Sequence, residues 1–380
     1  MTAVEPSGRR ITLVISHLQM GGAERVLVEL ANHWVSCGWA VTVIDFSRPG
    51  TPPAFPLDAR VREVSLDLQG GSRSPISAVV GNIRRITALR GAIRRSKPDI
   101  VLSLMNRTNV LTVFSMTATG IPVIVSEHTA PNGTLSWIWG ALRELAYRRA
   151  TFVVMLTTDA LAQMSPTIRR RGRVIPNPLP SQFLAMEVGE EGASRDEGPD
   201  GLTIMGLGRL APEKGFDVLI EAFARIAASW PNARLVIWGE GEERDRLERL
   251  RAKLDLIERI DLPGATPRPE RELRSATVFV LSSRLEGLPM TLLEAMALGR
   301  AVIACDCDYG PRDIVRDGVD GVLVPPEDVE ALAATIDALL GDSGRRASLG
   351  QRAVEVRERF AIGAVSERWD KLFREAAPQP

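Results

Sequence analysis

Short apolar runs alternate with longer amphipathic stretches along the first half of the chain. Runs rich in Val, Ile and Leu predict buried strands, and apolar residues at helical spacing predict the helices between them. Seven strands are predicted, at residues 11–16, 40–46, 61–66, 100–104, 122–126, 151–156 and 174–175. Five helices are predicted, at residues 23–35, 76–95, 110–117, 135–149 and 158–164. This alternation favours a parallel sheet with helices on both faces.

The alternation breaks at residues 176–201, where prolines and then Glu, Gly, Asp and Ser predict an interdomain connection and an exposed loop at 187–201. A second series follows. Its strands are predicted at 202–207, 234–238, 260–262, 278–281, 301–304 and 321–324. Its helices are predicted at 215–228, 243–254, 269–274, 289–298, 326–340 and 344–360, and a last amphipathic segment at 362–376.

We therefore predict an α/β fold of two doubly wound, parallel-sheet domains, residues 1–177 and 178–361. Such domains bind ligands at the carboxyl ends of their strands, so we expect both to face an interdomain cleft.

Composition narrows the class of protein. The chain is 45% hydrophobic and 25% charged, as globular proteins are, and its apolar runs are too short for a spanning helix. The first ten residues lack the apolar region of a signal peptide. Three cysteines suit a reducing compartment better than a disulfide framework. We therefore expect a cytoplasmic protein.

Charge is divided unevenly between the two halves. Residues 1–178 hold 21 Arg and Lys against 11 Asp and Glu, a balance of +10, and the remainder has a balance of −10. The basic clusters are either solvated helix faces or a surface for an anionic membrane or a lipid diphosphate. Nucleic acid is disfavoured, because aromatic residues make up only 5% of the chain and do not interleave with the basic runs.

Two carboxylates stand eight residues apart in the segment EGLPMTLLE, residues 286–294. The segment follows a predicted strand and opens an apolar helix, whose free N–H groups and partial positive charge favour a phosphate. Gly287 lets the backbone approach a ligand, and Pro289 suits the first turn of a helix. Glu286 and Glu294 can accept hydrogen bonds from hydroxyls. The segment predicts a phosphate flanked by a sugar and a ribose.

Two cations are predicted to belong to the same site. Arg209 ends the turn after the strand at 202–207, and Lys214 opens the next helix, so both can point at one spot. A departing nucleoside diphosphate builds up negative charge, which two cations and a helix N-terminus can stabilise. The alternative is an ordinary surface pair beside Glu213.

The letters GLGRLA at 206–211 also match a dinucleotide fingerprint, which raises a nicotinamide oxidoreductase as an alternative. The letters PEKG at 212–215 interrupt the sequence where the helix of that fingerprint should run. No acidic residue ends the following strand at the usual distance. We therefore disfavour a nicotinamide site.

Candidate residues also follow strands of the first half. Gly21 and Gly22 lie between the first strand and an apolar helix, where they form either a phosphate cradle or an ordinary turn. His128 follows the strand at 122–126, so we predict a substrate contact rather than a general base. A histidine that only satisfies local hydrogen bonds is the alternative.

Asp306 and Asp308 form an Asp-x-Asp motif of a kind that binds metal ions in some enzymes. Helix capping and turn formation explain these residues adequately. Cys305 and Cys307 lack further ligands nearby in the sequence, which disfavours zinc. No metal site is predicted.

Together these residues resemble glycosyltransferase family 4, retaining enzymes of the GT-B fold. The stretches that match are MGGAER at 20–25, IPNP at 175–178, GLGRLAPEKG at 206–215, EGLPMTLLEA at 286–295 and DGVDGVLVP at 317–325. They extend over nearly the whole chain. The spaced pair of glutamates is specific to the family when Arg209 and Lys214 accompany it.

The resemblance implies that the second domain binds a nucleotide sugar, most often UDP-linked, as a substrate, with no metal and no other cofactor. Arg209 and Lys214 then contact the diphosphate, Glu294 the ribose and Glu286 the donor sugar. The resemblance implies further donor contacts for the backbone of residues 287–290, which are Gly287, Leu288, Pro289 and Met290, and for Gly21 and Gly22, which would close over the diphosphate. The contact predicted for His128 rests on its position after a strand. The resemblance also implies that a donor phosphate oxygen accepts the proton. It implies further that the C-terminal helix, 362–380, packs back on the first domain.

The letters GGAER and SEHT, at 21–25 and 126–129, resemble enzymes that extend polyprenyl-diphosphate-linked oligosaccharides or surface polysaccharides. The resemblance implies transfer of a hexose or N-acetylhexosamine to a glycan or lipid-linked glycan, by an enzyme that is peripheral on the cytoplasmic face of the inner membrane. An epimerase or a glucan synthase on the same fold is one alternative. A catalytically silent module at a membrane surface is another.

Overall fold

A computed structural model of the protein describes residues 8–70, 74–128, 136–186 and 201–377. The chain divides into two compact units. The first comprises Met1–Pro180 and Ile362–Pro380, and the second comprises Ser181–Ala361. The loop predicted at 187–201 lies outside the described residues, except for Gly201.

The first unit is built on a seven-stranded sheet in which neighbouring strands are parallel. The strands are β1 (Arg10–Val14), β2 (Ala40–Asp45), β3 (Arg62–Ser65), β4 (Ile100–Leu104), β5 (Val123–Glu127), β6 (Phe152–Met155) and β7 (Gly172–Val174). Their order is β3-β2-β1-β4-β5-β6-β7, so the winding reverses between β1 and β4. Strands β4 and β5 are buried along their whole length, as expected when helices cover both faces.

Seven helices of the first unit are described. They are α1 (Gly22–Ser36), α2 (Pro75–Ser96), α3 (Asn106–Ser115), α4 (Trp137–Tyr147), α5 (Thr158–Ala162), α6 (Pro166–Arg171) and the C-terminal α16 (Ile362–Ala376). Helix α16 packs Trp369 and Phe373 against Trp34 of α1, with ring centroids 6.5 and 5.3 Å apart. These rings join the end of the chain to the core of the first unit.

The second unit is built on a six-stranded parallel sheet of order β10-β9-β8-β11-β12-β13. The strands are β8 (Thr203–Leu207), β9 (Arg234–Trp238), β10 (Ile260–Gly264), β11 (Val278–Leu281), β12 (Ala301–Cys305) and β13 (Val322–Val324). The helices are α7 (Ser181–Ala185), α8 (Phe216–Ile226), α9 (Arg244–Lys253), α10 (Pro269–Ser275), α11 (Met290–Ala297), α12 (Pro311–Ile314), α13 (Val329–Gly341), α14 (Ser343–Ala353) and α15 (Val356–Arg359). The predicted pair of doubly wound parallel sheets is confirmed.

Some predicted elements differ from the observed ones. The short helices α6 and α7 were not predicted, and α7 follows the proline-rich residues 176–180, which are buried. Helix α3 begins at Asn106, four residues before the predicted start at 110, because buried polar residues form its first turns. The single helix predicted at 344–360 is two helices, α14 and α15.

Helix α2 is the longest described helix, with 22 residues. The Ser74 side chain caps its first turn by accepting a hydrogen bond from the Ser77 N–H group. Lys97 ends it in a left-handed conformation, with a φ of 48°. Among the described residues no helix is both long enough and apolar enough to cross a membrane.

Candidate active site

The carboxyl edge of the second sheet holds most of the predicted site residues. Strand β8 leads to Arg209 and then to a single 3₁₀ turn, Pro212–Lys214, while β11 leads to Glu286 and to α11. Strands β8 and β11 are paired neighbours, so their loops begin side by side. The topology therefore brings together two motifs that are about seventy residues apart in the sequence.

The turn that holds Lys214 is fixed by backbone contacts with the end of β11. Gly215 closes the turn with a φ of +61°, and a Cβ atom there would lie 2.1 Å from the Ser282 carbonyl oxygen. The Ser282 hydroxyl donates a 3.0 Å hydrogen bond to the Lys214 carbonyl oxygen. Both the backbone conformation and the close approach therefore require glycine at position 215.

Lys214 and Glu286 are in direct contact. The Lys214 ammonium group donates a 2.7 Å hydrogen bond to Glu286 Oε1, and the Ser283 hydroxyl donates to the same oxygen at 2.6 Å. The Glu286 side chain is 7% exposed and that of Lys214 is 24% exposed. Charge-assisted hydrogen bonds in such a shielded place are strong. The pair offers a cation for a phosphate and a carboxylate for hydroxyls at one point.

Arg284 anchors the loop that follows β8 and the loop that follows β11. This residue was not predicted from the sequence. Its guanidinium donates to the Pro212 carbonyl oxygen at 2.8 Å, to both oxygens of Asp217 at 2.8 and 3.0 Å, and to Glu327 at 2.8 Å. Burial tends to raise the pKa of Asp217, but hydrogen bonds and charge from Arg284 outweigh it and hold this pKa below its ordinary value of 3.8. Arg284 therefore links the turn before Lys214 to α8.

Arg209 points to different carboxylates from those that contact Lys214. Its guanidinium forms an ion pair with Glu213 and lies 3.8 Å from Glu242. The Arg209 side chain is 60% exposed, so solvent screens these interactions. The weakness of the pairs leaves the guanidinium free to exchange Glu213 for a bound anion.

The loop between β11 and α11 packs against the loop between β12 and α12, which contains Gly310. Helix α11 begins at Met290 with Pro289 as its cap, and Leu288 is buried. Gly310, which the sequence analysis missed, has a φ of +94°, and a Cβ atom there would lie 2.6 Å from Pro289 Cδ and 3.1 Å from Gly287 O. Gly310 therefore supports the backbone of residues 287–290.

Glu294 lies inside α11, one turn after the helix begins. It is 4% exposed, and its side chain interacts with other groups of the protein. The first N–H groups of the helix have no intrahelical acceptor and give this end a partial positive charge. Lys214, Glu286 and the start of α11 thus belong to one edge of the sheet.

Gly21 and Gly22 begin α1 in the first unit. Gly21 has a φ of 175°, which is extended backbone, and Gly22 is the first helical residue. A Cβ atom at Gly21 would lie 2.1 Å from Glu24 Oε2, so the Glu24 carboxylate lies against this turn. The Glu24 carboxylate is also 3.4 Å from the Nδ1 atom of His17. The glycines therefore form a turn against which an acidic side chain already packs.

His128 follows β5 and forms a hydrogen bond of 3.1 Å between its Nε2 atom and the Ser126 hydroxyl. Burial lowers its pKa from 6.5 to about 4, so the imidazole is neutral near pH 7. The preceding Glu127 is buried and accepts hydrogen bonds from Tyr147 at 2.7 Å and Asn106 at 3.0 Å. His128 is thus a neutral hydrogen-bonding group beside a tightly held carboxylate.

The Asp306 carboxylate accepts hydrogen bonds of 2.9 and 2.8 Å from Arg312. Burial raises the pKa of both Cys305 and Cys307 to about 12, so these thiols are protonated near pH 7. Within the described ranges, three or more His, Cys, Asp or Glu residues do not meet in a group suited to a metal ion.

The glycines of 206–211 are not followed directly by a helix. The 3₁₀ turn Pro212–Lys214 comes next, and α8 begins at Phe216. In a dinucleotide site the helix N-terminus directly follows the glycine turn and meets the pyrophosphate. The local geometry therefore differs from that of a nicotinamide site.

Two family models match consecutive parts of the chain. Residues 21–178 match the model of a glycosyl transferase 4-like domain. Residues 191–356 match the model of glycosyl transferases group 1. The two models leave only short segments of the chain uncovered.

Curated relatives resemble the chain over most of its length. An exopolysaccharide phosphotransferase of Streptomyces coelicolor is 29% identical over 94% of this chain, which spans 40% of that protein. The GalNAc-α-(1→4)-GalNAc-α-(1→3)-diNAcBac-PP-undecaprenol α-1,4-N-acetyl-D-galactosaminyltransferase of Campylobacter jejuni is 27% identical over 96% of this chain and 98% of its own.

A solved structure, that of HepE from Anabaena in complex with UDP, is similar in fold. It has a TM-score of 0.77 and 17% identity, and the match covers 97% of this chain and all of HepE. The matching family models and relatives show that the chain is a glycosyltransferase built from a glycosyl transferase 4-like domain and a group 1 domain, and the solved structure shows that its fold is GT-B.

Proposed function

We propose that the protein is a retaining glycosyltransferase that moves a hexose or N-acetylhexosamine from a UDP-linked sugar to a glycan carried on a polyprenyl diphosphate. The main support is the contact between Lys214 and Glu286. It places a cation for a diphosphate 2.7 Å from a carboxylate for sugar hydroxyls, at the carboxyl edge of a doubly wound sheet.

Each part of the donor has a proposed partner in the second unit. Lys214 and Arg209 bind the diphosphate, Glu286 binds hydroxyls of the sugar, and Glu294 binds the ribose. The N–H groups at the start of α11 complete the diphosphate site. The UDP that the similar HepE structure holds supports a uridine donor. Donor contacts by Gly21, Gly22 and His128 stay predictions from the sequence.

The proposed reaction depends on stabilising the leaving group. The bond between the anomeric carbon and the diphosphate oxygen breaks, and an acceptor hydroxyl bonds to that carbon on the same face. The hydroxyl proton passes to the departing phosphate oxygen, which serves as the base. Lys214 and the N-terminus of α11 stabilise the negative charge that develops on the diphosphate. Arg284 keeps the Lys214 turn in place, so little reorganisation is needed during the reaction.

The proposed acceptor class comes from the relatives. The name of the Campylobacter jejuni relative specifies a PP-undecaprenol glycan, and that of the Streptomyces coelicolor relative specifies exopolysaccharide. Such lipids lie in membranes, and the balance of +10 over residues 1–178 favours an anionic surface. We therefore place the enzyme at the cytoplasmic face of the inner membrane.

A panel of nucleotide sugars tests the proposal. Purified protein is incubated with UDP-, GDP- and ADP-linked hexoses and N-acetylhexosamines, and released nucleotide is measured, while calorimetry measures the affinity for each free nucleotide. We expect UDP to bind and one UDP-sugar to be hydrolysed slowly. Binding of none of the nucleotides would overturn the proposed donor. Inversion of the anomeric configuration in the transferred product would overturn the proposed stereochemistry.

A further inference from the structure

Large apolar side chains that solvent reaches are concentrated on two helices of the first unit. Ten large apolar residues of the described chain are exposed, and seven of them lie on α2 and α4. The seven are Ile76, Val79, Val80 and Ile83 on α2, and Trp137, Ile138 and Leu145 on α4. Single exposed apolar residues are common on protein surfaces, but a concentration of them marks an interaction site.

The four residues on α2 form one continuous stripe. Their spacing of three, four and seven positions places them on the same side of the helix. No side chain from 76 to 88 is buried, whereas Leu89 and Ile93 are fully buried. The second half of α2 therefore anchors the helix in the core, and the first three turns extend an apolar stripe into solvent.

Helix α4 repeats this arrangement on the same side of the sheet. Trp137 is 82% exposed, and Ile138 and Leu145 are 50% and 44% exposed. Helix α3 packs against both α2 and α4. Helix α2 connects β3 to β4, α3 connects β4 to β5, and α4 connects β5 to β6. Each of these connections runs in the same direction along the strand order of the sheet. Right-handed crossovers then place all three helices on one face.

Arginines follow the apolar residues along both helices. Helix α2 contains five arginines and no acidic residue, and Arg84, Arg94 and Arg95 are exposed. Arg148 and Arg149 follow α4 and are also exposed. The single acidic residue of α4, Glu144, is paired with Arg148 at 2.9 Å. The outward surface of the two helices is therefore mainly apolar at their N-termini and, apart from Leu145 on α4, cationic at their C-termini.

We propose that the outward faces of α2 and α4, the α2–α4 surface, dock onto an anionic lipid bilayer. The apolar residues enter the boundary between headgroups and acyl chains, and the arginines contact anionic headgroups. Exposed tryptophan is typical of such boundaries. The inference rests on the lipid-linked acceptor proposed above, because an acceptor of that class would be met at the bilayer.

Charge decides between a bilayer and a second copy of the chain. In a two-fold dimer through the α2–α4 surface, the same patch would face itself. The arginines of each copy, Arg84, Arg94 and Arg95 among them, would then face a patch in which α2 offers no acidic partner. Anionic headgroups supply the opposite charge and also accept the apolar stripe.

Docking through this surface has a consequence for the acceptor. Helices α2 and α4 begin at the carboxyl edge of the first sheet, which is the edge where His128 follows β5. All of the exposed apolar residues except Leu145 lie in the N-terminal halves of these helices, so insertion holds that edge against the membrane. A diphosphate at the headgroup level would then reach the edge without leaving the bilayer.

Vesicle flotation of the full-length protein tests the α2–α4 surface without a donor or an acceptor. The vesicles contain either phosphatidylglycerol or phosphatidylcholine, and NaCl is raised from about 0.1 to about 1 M. We expect binding to phosphatidylglycerol that weakens with salt but leaves a salt-resistant fraction. The triple variant Val79→Ser, Ile83→Ser and Ile138→Ser should lower partitioning about tenfold and lose that fraction. The triple variant Arg84→Gln, Arg94→Gln and Arg95→Gln should lose the salt-sensitive part.

A matched control comes from the second unit, where Ile257 and Val319 are 51% and 44% exposed. The double variant Ile257→Ser and Val319→Ser should float like the wild type. Brominated phosphatidylglycerol should also quench the fluorescence of Trp137, and comparison with the Trp137→Phe variant isolates the signal of this residue. This measurement is made on the wild-type protein, so it does not depend on substitutions that could destabilise the fold. The proposal is overturned if the wild type does not float, or if the serine variant floats as well as the wild type. It is also overturned if light scattering shows a dimer that the serine variant dissociates.

Discussion

Lys214 and Glu286 are 72 residues apart in the sequence and form a 2.7 Å hydrogen bond in the folded chain. Each satisfies the charge of the other at the edge of the second sheet. Glu286 is the more deeply buried partner, so the loss of Lys214 would leave a shielded carboxylate that, within the described residues, keeps the hydrogen bond from Ser283. Removing one member of such a pair costs more than the pair itself contributes.

Replacing Lys214 by Ala should mainly lower turnover. The ammonium group stabilises charge that develops on the leaving diphosphate, and loss of such a contact raises the barrier by roughly 2–4 kcal/mol. Steady-state kinetics with a UDP-sugar should therefore show a large fall in kcat and a smaller change in KM. Lys253→Ala, at an exposed position that ends α9, is the matched control. Equal kcat values for the two variants would remove Lys214 from the mechanism.

Replacing Glu294 by Gln should weaken donor binding. The proposed contact with the ribose is a hydrogen bond to a charged acceptor, so its loss should raise the dissociation constant of UDP about tenfold or more. Calorimetry of UDP binding measures this change directly, and kcat at saturating donor should change less. Glu294 is buried, so the thermal midpoint must be measured beside the affinity. An unaltered affinity in a folded variant would contradict the ribose assignment.

Replacing Arg284 by Gln should destabilise the second unit and slow the reaction together. The change removes the bidentate partner of Asp217, which keeps Arg246 at 3.0 Å. It also leaves the Pro212 carbonyl oxygen with only the Gly215 N–H group, at 3.3 Å, as a donor among the described residues. We expect the free energy of unfolding in urea to fall by about 2 kcal/mol or more. The double variant with Asp217→Asn should recover part of this loss.

Arg225 provides the comparison for Arg284. It pairs with the exposed Glu330 at 2.8 Å, on the surface of the second unit. Arg225→Gln should have little effect on stability or kcat, because exposed ion pairs contribute little. If both arginine variants behaved alike, Arg284 would have no anchoring role at the site.

Protonation of His128 should destabilise the folded protein below neutral pH. Its pKa is lowered from 6.5 to about 4, so the unfolded state binds the proton first. The free energy of unfolding should therefore fall as the pH drops from about 6.5 to about 4, by up to roughly 3 kcal/mol from this group. Denaturant unfolding of the wild type and His128→Gln over this range isolates the effect. If the free energy of unfolding falls equally in both proteins over this range, His128 is not the cause of the pH dependence.

Chelation of divalent metals should leave turnover nearly unchanged. The carboxylate of Asp306 is already bound by Arg312, and the proposed leaving-group stabilisation comes from Lys214 and a helix N-terminus. Activity is measured before and after dialysis against EDTA. A complete loss that manganese restores would require a metal site, with Asp306 and Asp308 as the first candidates.

Much of the fold could be predicted because parallel strands buried on both faces leave a strong signal. Runs such as 100–104 and 278–281 contain mostly Val, Leu and Phe, and both were placed correctly as β4 and β11. Elements without such a signal were missed. Helix α7 has only five residues beside a run of prolines, and the first turns of α3 bury Asn106 and Asn109 through hydrogen bonds instead of apolar packing.

The candidate site could be predicted only in part. The spacing of Glu286 and Glu294 and the position of Lys214 indicated one edge of one sheet. The direct bond between Lys214 and Glu286 could not be read from the sequence, because it depends on the pairing of β8 with β11. Arg284 and Gly310 left no local signal, since their partners lie in other loops.

The turn at Gly21 decides which ligands α1 can accept. The Glu24 oxygen that lies against Gly21 gives this helix N-terminus its own internal counter-anion. A phosphate arriving there meets electrostatic repulsion until the Glu24 carboxylate turns away, whereas a neutral hydroxyl meets an acceptor. Because Gly21 has a hydrogen atom where other residues have a Cβ atom, the Glu24 carboxylate can lie against it. The turn therefore prefers neutral groups to anions.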